Sequence, residues 1–127
     1  MWVTGDLVRL EQVIVNLISN ALQAVQLTAA PTLSITLGAQ HGHACLRVAD
    51  NGPGITEAHL PQVFEPFFTT KAPGAGLGLG LSISTRIMED LGGRLSAANR
   101  PEGGAEFTLT LPLSPPPAAA LEISPHA

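Results

Sequence analysis

Apolar side chains recur from Leu7 through Leu10, Val13, Ile14, Leu17, Ile18, Ala21, Leu22 and Val25. Spacings of three and four residues mark one face of an amphipathic helix about five turns long. Gly5-Asp6 supplies a turn and a cap ahead of it, and Ala30-Pro31 lies beyond its end. The period then changes to two, in Thr32-Leu33-Ser34-Ile35-Thr36-Leu37 and again in Leu46-Arg47-Val48. With His41-Gly42-His43 between them, these segments predict a hairpin. Asp50-Asn51-Gly52-Pro53-Gly54 interrupts regular structure, and a short helix capped by Thr56 is expected over Glu57 to Val63. Helical spacing returns from Leu79 to Leu91, and Gly92-Gly93 stops it. Leu95-Ser96-Ala97 and Phe107-Thr108-Leu109-Thr110-Leu111 read as two last strands around the turn Pro101-Glu102-Gly103-Gly104, with Pro112 as the end. Met1 to Thr4 reads as the end of a strand, as though the chain were cut from a longer protein. The elements predict an α+β fold, a two-layer sandwich whose mixed, mainly antiparallel sheet is covered on one face by about three helices.

With 127 residues, the chain has room for one domain. Residues 1–113 are expected to form it, and the Pro/Ala-rich stretch 114–127 has too little apolar pattern to order itself. No apolar run is long enough for a membrane span, and no basic stretch precedes an apolar core at the N-terminus, so no signal peptide is expected. The single cysteine, Cys45, cannot make an internal disulfide, which fits a reducing compartment. A net charge of −4 with only six scattered Lys and Arg residues argues against a nucleic-acid binder. His41, His43, His59 and His126 share no ligand spacing with cysteine or carboxylate, so no zinc site is expected.

Three segments carry candidate chemistry. Asn16 and Asn20 stand four apart beside the apolar stripe of the first helix, where an amide either satisfies neighbouring backbone or offers its oxygen to a hard cation such as Mg²⁺. Asp50-Asn51-Gly52-Pro53-Gly54-Ile55 follows a buried strand. It is either a plain turn or a site where the carboxylate accepts from a ligand while the glycines let that ligand approach the backbone. The run from Lys71 to Leu81 has glycine at positions 74, 76, 78 and 80 and opens the last helix, where free N–H groups suit phosphate. It lacks the Gly-Lys-Ser/Thr of a Walker loop and the GxGxxG of a dinucleotide fingerprint. The interleaved Leu77, Leu79 and Leu81 argue against a solvated linker.

In order, Arg9 to Ala21, Asp50 to Ile55, Phe64-Glu65-Pro66-Phe67-Phe68 and Gly74 to Ile83 resemble four sequence boxes of one family. They are the N box, first glycine box, F box and second glycine box of the catalytic ATP-binding domain of sensor histidine kinases, which belongs to a superfamily shared with DNA gyrase, a large heat-shock chaperone and mismatch-repair ATPases. Phe67-Phe68-Thr69-Thr70-Lys71 and the Gly-Leu repeat look most similar to nitrogen-regulatory and dicarboxylate-transport sensors. The resemblance implies the Bergerat-type ATP-binding fold and a cytoplasmic domain, whether or not a membrane anchors the parent protein.

It further implies that Asn20 holds Mg²⁺ on the ATP phosphates with Asn16 in support, and that Asp50 accepts from the adenine amino group. Gly52 and Gly54 would admit the base, with Ile55 and Leu79 as apolar walls. Gly76, Gly78 and Gly80 would donate N–H groups to the phosphates, with Leu77 in the same binding segment and Lys71 reaching in from the lid. The implied partners are a phosphoacceptor histidine on a helical domain, absent here, and a response regulator; without that domain the chain would bind ATP but not phosphorylate itself. A strand usual in the family ahead of Val3 is also lacking, which would leave a sheet edge unpaired. The competing functions are an ATPase of the same superfamily, an anti-sigma-type serine kinase and a nucleotide-binding remnant that only mediates contacts. ATPase action is disfavoured because Asn16 stands where such enzymes carry a glutamate base; Glu11 lies on a different face.

Overall fold

The computed structural model describes residues 2–65 and 80–115. Helix α1 spans Leu7–Ala24 and starts where the sequence places its cap: Asp6 is extended, and its Oδ1 accepts from the amides of Val8 at 3.0 Å and Arg9 at 3.3 Å. Val13, Leu17 and Ala21, one turn apart, are its buried residues. Strands β1 (Leu33–Gln40) and β2 (His43–Asp50) form the expected hairpin in full register, from Leu33 opposite Asp50 to Gln40 opposite His43. The two-residue connection has φ of 53° at His41 and 77° at Gly42, the paired positive values that match the twist of the flanking strands.

Helix α2 (Gly80–Asp90) leads into β3 (Arg94–Asn99), and β4 (Ala105–Pro112) completes the sheet. Gly92 at φ 78° donates to the Glu89 carbonyl and Gly93 to that of Met88, the double bond that closes a helix with glycine beyond its cap. The sheet order is β1-β2-β4-β3, and every pairing among the described strands is antiparallel. Register puts Val48 opposite Phe107, Leu46 opposite Leu109 and Leu95 opposite Leu109. These side chains share the face on which α1 and α2 lie, and the core forms between them around Val13, Leu17, Val48, Met88, Phe107 and Leu111. The α+β two-layer reading therefore holds. The helices are tied at one end by Arg9, whose Nη2 lies 2.7 Å from Asp90 Oδ2.

One element differs from expectation. In place of a helix over Glu57 to Val63 there is a turn followed by a single 3₁₀ segment at Leu60–Gln62, with His59 as its cap residue. Pro61 has no N–H to donate to the carbonyl of residue 57. The chain instead closes with bonds such as Gln62 to His59 and Glu65 to Gln62. Phe64 packs against the core cluster, edge-on to Phe107 with ring centroids 6.2 Å apart. At the start of the chain, Val3 makes one isolated bridge with Leu113, and Ser114 is bonded to Trp2 and Thr4. The remainder of the Pro/Ala-rich stretch, 116–127, lies outside the described residues.

Candidate functional site

Asp50 ends β2 and is 2% exposed. Its Oδ1 accepts from the Gly52 amide at 2.9 Å and the Ala105 amide at 3.3 Å. Among the described residues both bonds fall on that one oxygen. The backbone crowds this carboxylate. A Cβ on Gly52 would meet the Ala24 carbonyl oxygen at 2.6 Å, and one on Gly104, at φ 90°, would overlap the Asp50 carbonyl. Gly52 thus seats the loop against the end of α1, and Gly104 brings the β3–β4 turn onto β2.

The loop after Asp50 is held by side-chain amides. Asn51 accepts from Thr32 N at 2.8 Å and donates to Ala30 O at 3.1 Å. Asn99 accepts from Ile55 N at 2.7 Å and donates to Ile55 O. Arg100 Nη1 donates to Asp50 O at 2.8 Å. Gly54 has the left-handed φ of 79° that its place in the loop requires, and Ile55 packs against the core cluster.

Along α1, Asn16, Asn20 and Ala24 are four residues apart and form a row about 12 Å long. Asn16 Nδ2 donates to Ser84 Oγ at 3.0 Å and, less closely, to Gly80 O at 3.4 Å, so this end of the row meets the start of α2. The other end, Ala24, meets Gly52. Between them Asn20 is half-buried and makes no hydrogen bond among the described residues. A half-buried amide without a partner suits a ligand-facing oxygen. No group of three or more His, Cys, Asp or Glu that could hold a metal occurs among the described residues. A cation here would therefore need oxygens from a ligand besides the Asn20 amide. That matches Mg²⁺, which takes few protein ligands and completes its shell with phosphate and water.

The structure thus places Asn16 and Asn20 on α1, Gly80 at the start of α2, Asp50 at the end of β2 and Gly52, Gly54 and Ile55 in the loop that follows it. Lys71, Gly76, Leu77, Gly78 and Leu79 lie outside the described residues, as do Pro66 to Phe68. Glu11 is exposed, away from this row. Ser84, Asn99, Arg100 and Gly104 are components that the sequence reading did not single out. Of these only Gly104 has a local signal, the pair Gly103-Gly104, which in sequence predicts a turn and nothing more. A depression of about 550 Å³ lined by His41, His43, Cys45 and Arg94, among others, opens at the far end of β2 from Asp50 and is separate from this site.

The sequence profile of the family described as "Histidine kinase-, DNA gyrase B-, and HSP90-like ATPase" matches residues 5–115. The C4-dicarboxylate transport sensor protein DctB of Pseudomonas aeruginosa is 43% identical over 122 residues, 95% of this chain and 20% of that protein. The chain therefore spans about a fifth of that relative's length. Among solved structures, the nucleotide-free catalytic domain of histidine kinase ThkA superposes with a TM-score of 0.75 at 37% identity, covering 87% of this chain and 70% of that one. Full-length ShkA in complex with AMPPNP gives 0.73 at 32% identity, over 87% of this chain and 22% of that one. No helix among the described residues is long and apolar enough to cross a membrane.

Proposed function

The chain belongs to the family of histidine kinase-, DNA gyrase B- and HSP90-like ATPases, and we propose that it positions Mg-ATP for phosphoryl transfer to a histidine on a separate helical domain. It is an ATP-binding catalytic domain of the histidine-kinase type. The acceptor domain, and a response regulator that then takes the phosphoryl group on an aspartate, are the partners this reading requires. One observation carries it: Asp50, with its Oδ1 saturated by backbone amides, and Asn20, half-buried and without a hydrogen bond among the described residues, are linked by the α1 row that ends on Gly52 and Gly80. The capture of AMPPNP by ShkA supports a nucleotide as the occupant.

In this reading the second carboxylate oxygen of Asp50 accepts from the exocyclic amine of adenine, and Gly52 and Gly54 let the loop close against Ala24 and Asn99 at the pocket's edge. Asn20 offers its amide oxygen to Mg²⁺, and Asn16 keeps that helix face in line with the start of α2. The bound ion supplies charge neutralisation on the phosphates. Lys71 and the segment from Gly76 to Gly80 contribute cation and N–H donors to the same end. The protein's work is to hold and orient, which suits a phosphoryl transfer that needs little covalent help from the enzyme.

A hydrolytic ATPase is the weaker reading. Its attacking water needs a base, and Asn16, an amide whose nitrogen donates to Ser84, cannot take that proton.

Calorimetric titration with a non-hydrolysable ATP analogue, with and without Mg²⁺, tests the proposal. Asp50→Asn is expected to abolish binding, and Asn20→Ala to remove its Mg²⁺ dependence. A folded wild-type chain that binds no adenine nucleotide would overturn the reading.

A further inference from the structure

The loop from Asp50 to Ile55 leaves β2 and contains Asn51, two glycines and a proline, so its path depends on contacts from elsewhere. Both backbone groups of Ile55 are taken by one side chain: Asn99 Oδ1 accepts its N–H at 2.7 Å, and Asn99 Nδ2 donates to its carbonyl. A primary amide carries one acceptor and a donor side by side, as a peptide group does, and here it acts as one extra rung between segments 44 residues apart. The other end of the loop is held by the next residue, Arg100, through its 2.8 Å bond to Asp50 O. Two consecutive residues, whose α-carbons stand about 3.8 Å apart, thus pin the two ends of the loop. Gly54 lies inside the clamp, where a Cβ would come within 2.9 Å of Asn99 Oδ1.

We infer that Asn99, at the end of β3, is a positioning residue for the nucleotide pocket, setting adenine selectivity by fixing Ile55 and the glycine loop relative to Asp50. It touches no nucleotide itself, and the inference rests on the reading of Asp50 as the adenine acceptor. Asn99 is exposed and outside the core cluster. Its truncation therefore frees the loop while the sheet and helices stay packed. Selectivity is the sensitive property, because a carboxylate that can shift relative to the base still accepts from some donor but no longer prefers one edge.

The test uses the whole chain and four variants: Asn99→Ala, Asn99→Asp, Asp50→Asn and Ser96→Ala as a control on the same strand. Calorimetry gives the affinities for a non-hydrolysable ATP analogue and its guanine counterpart, melting gives Tm, and hydrogen exchange follows the Ile55 amide. Asn99→Ala is expected to weaken the adenine analogue roughly tenfold, the scale of losing a pair of hydrogen bonds that order a loop. The adenine-to-guanine ratio should fall, Ile55 should exchange faster, and Tm should stay near that of Ser96→Ala and wild type. Asn99→Asp keeps the acceptor but turns oxygen toward the Ile55 carbonyl, so it should not restore selectivity; it also carries the test if Asn99→Ala fails to fold. Wild-type affinity and selectivity in both Asn99 variants would overturn the inference while loss of binding in Asp50→Asn kept the nucleotide reading intact. An equal loss of both nucleotides that tracks a lowered Tm would overturn it too. Wild-type protein that binds neither nucleotide, or Asp50→Asn that binds like wild type, would remove the reading beneath it.

Discussion

Asn16 Nδ2 donates to Ser84 Oγ across 3.0 Å, and Ser84, on α2, is 0% exposed. The pair is a polar contact between α1 and α2, whose meeting is otherwise largely apolar, and it ties the amide row of α1 to the helix that opens at Gly80. Polar groups are kept inside only when paired, so each member secures the other.

Removing the Ser84 hydroxyl leaves the Asn16 amide, among the described residues, with the longer bond to Gly80 O. Ser84→Ala is expected to cost about 1 kcal/mol in urea denaturation, and Asn16→Ala about the same. The double variant should cost less than the two single costs together, since both remove one bond. Strict additivity would mean that the contact contributes nothing to stability.

Gly104 gives a larger effect from a smaller change. Its φ is 90°, and a methyl group there would overlap the Asp50 carbonyl. Gly104→Ala is expected to destabilise by on the order of 3 kcal/mol and to weaken nucleotide binding, because the turn must withdraw from β2 and take the Ala105 amide away from Asp50. Gly103→Ala, with a positive φ but no atom within 4 Å of its Cβ, should cost less. Equal losses would show that backbone strain alone, and not the closeness to Asp50, sets the effect.

These contacts mark the line between what could and could not be read from the chain. Helix α1 was legible because Asp6, Val13, Leu17 and Ala21 act within a few residues of one another, and β4 because its buried face is strict alternation. Gly92-Gly93 likewise closes α2 locally. The helix expected over Glu57 to Val63 behind the Thr56 cap failed on an equally local fact, the missing N–H of Pro61. Asp50, Asn16 and Asn20 stood out because each lies in a compact motif. Asn99, Arg100 and Ser84 did not: their partners lie 44, 50 and 68 residues away. Two of the three bind backbone atoms, which every residue possesses and which leave no trace in composition or spacing.

Phe107 tests the packing of the core. It is buried opposite Val48 and Ala97, with the ring of Phe64 edge-on against it. Phe107→Ala is expected to cost about 3–5 kcal/mol, enough to unfold a marginal domain at room temperature. Phe64→Ala should cost less, since that side chain is only half-buried. Chemical denaturation followed by the fluorescence of the single tryptophan, Trp2, checks both.

The acid response of the domain should pass through Asp90. This residue ends α2, where the negative pole of the helix opposes a carboxylate. Its pKa nevertheless lies below the ordinary value, chiefly because Arg9 donates to it at 2.7 Å; desolvation works against this, and Arg86 one turn earlier adds to the lowering. A carboxyl whose folded pKa is depressed contributes stability above its unfolded pKa and loses it as pH falls through the folded value. The advantage of wild type over Asp90→Asn should accordingly be flat from about pH 8 to pH 6, shrink as pH falls through the ordinary carboxylate range, and be lost once the folded carboxyl is protonated. Because the pair is exposed, the same advantage should fall in 1 M salt, where the screening length drops to about 3 Å. Denaturation midpoints of the two proteins across that pH range and at both salt levels decide the matter. An advantage that grew on acidification would mean that the helix pole, rather than Arg9, governs Asp90.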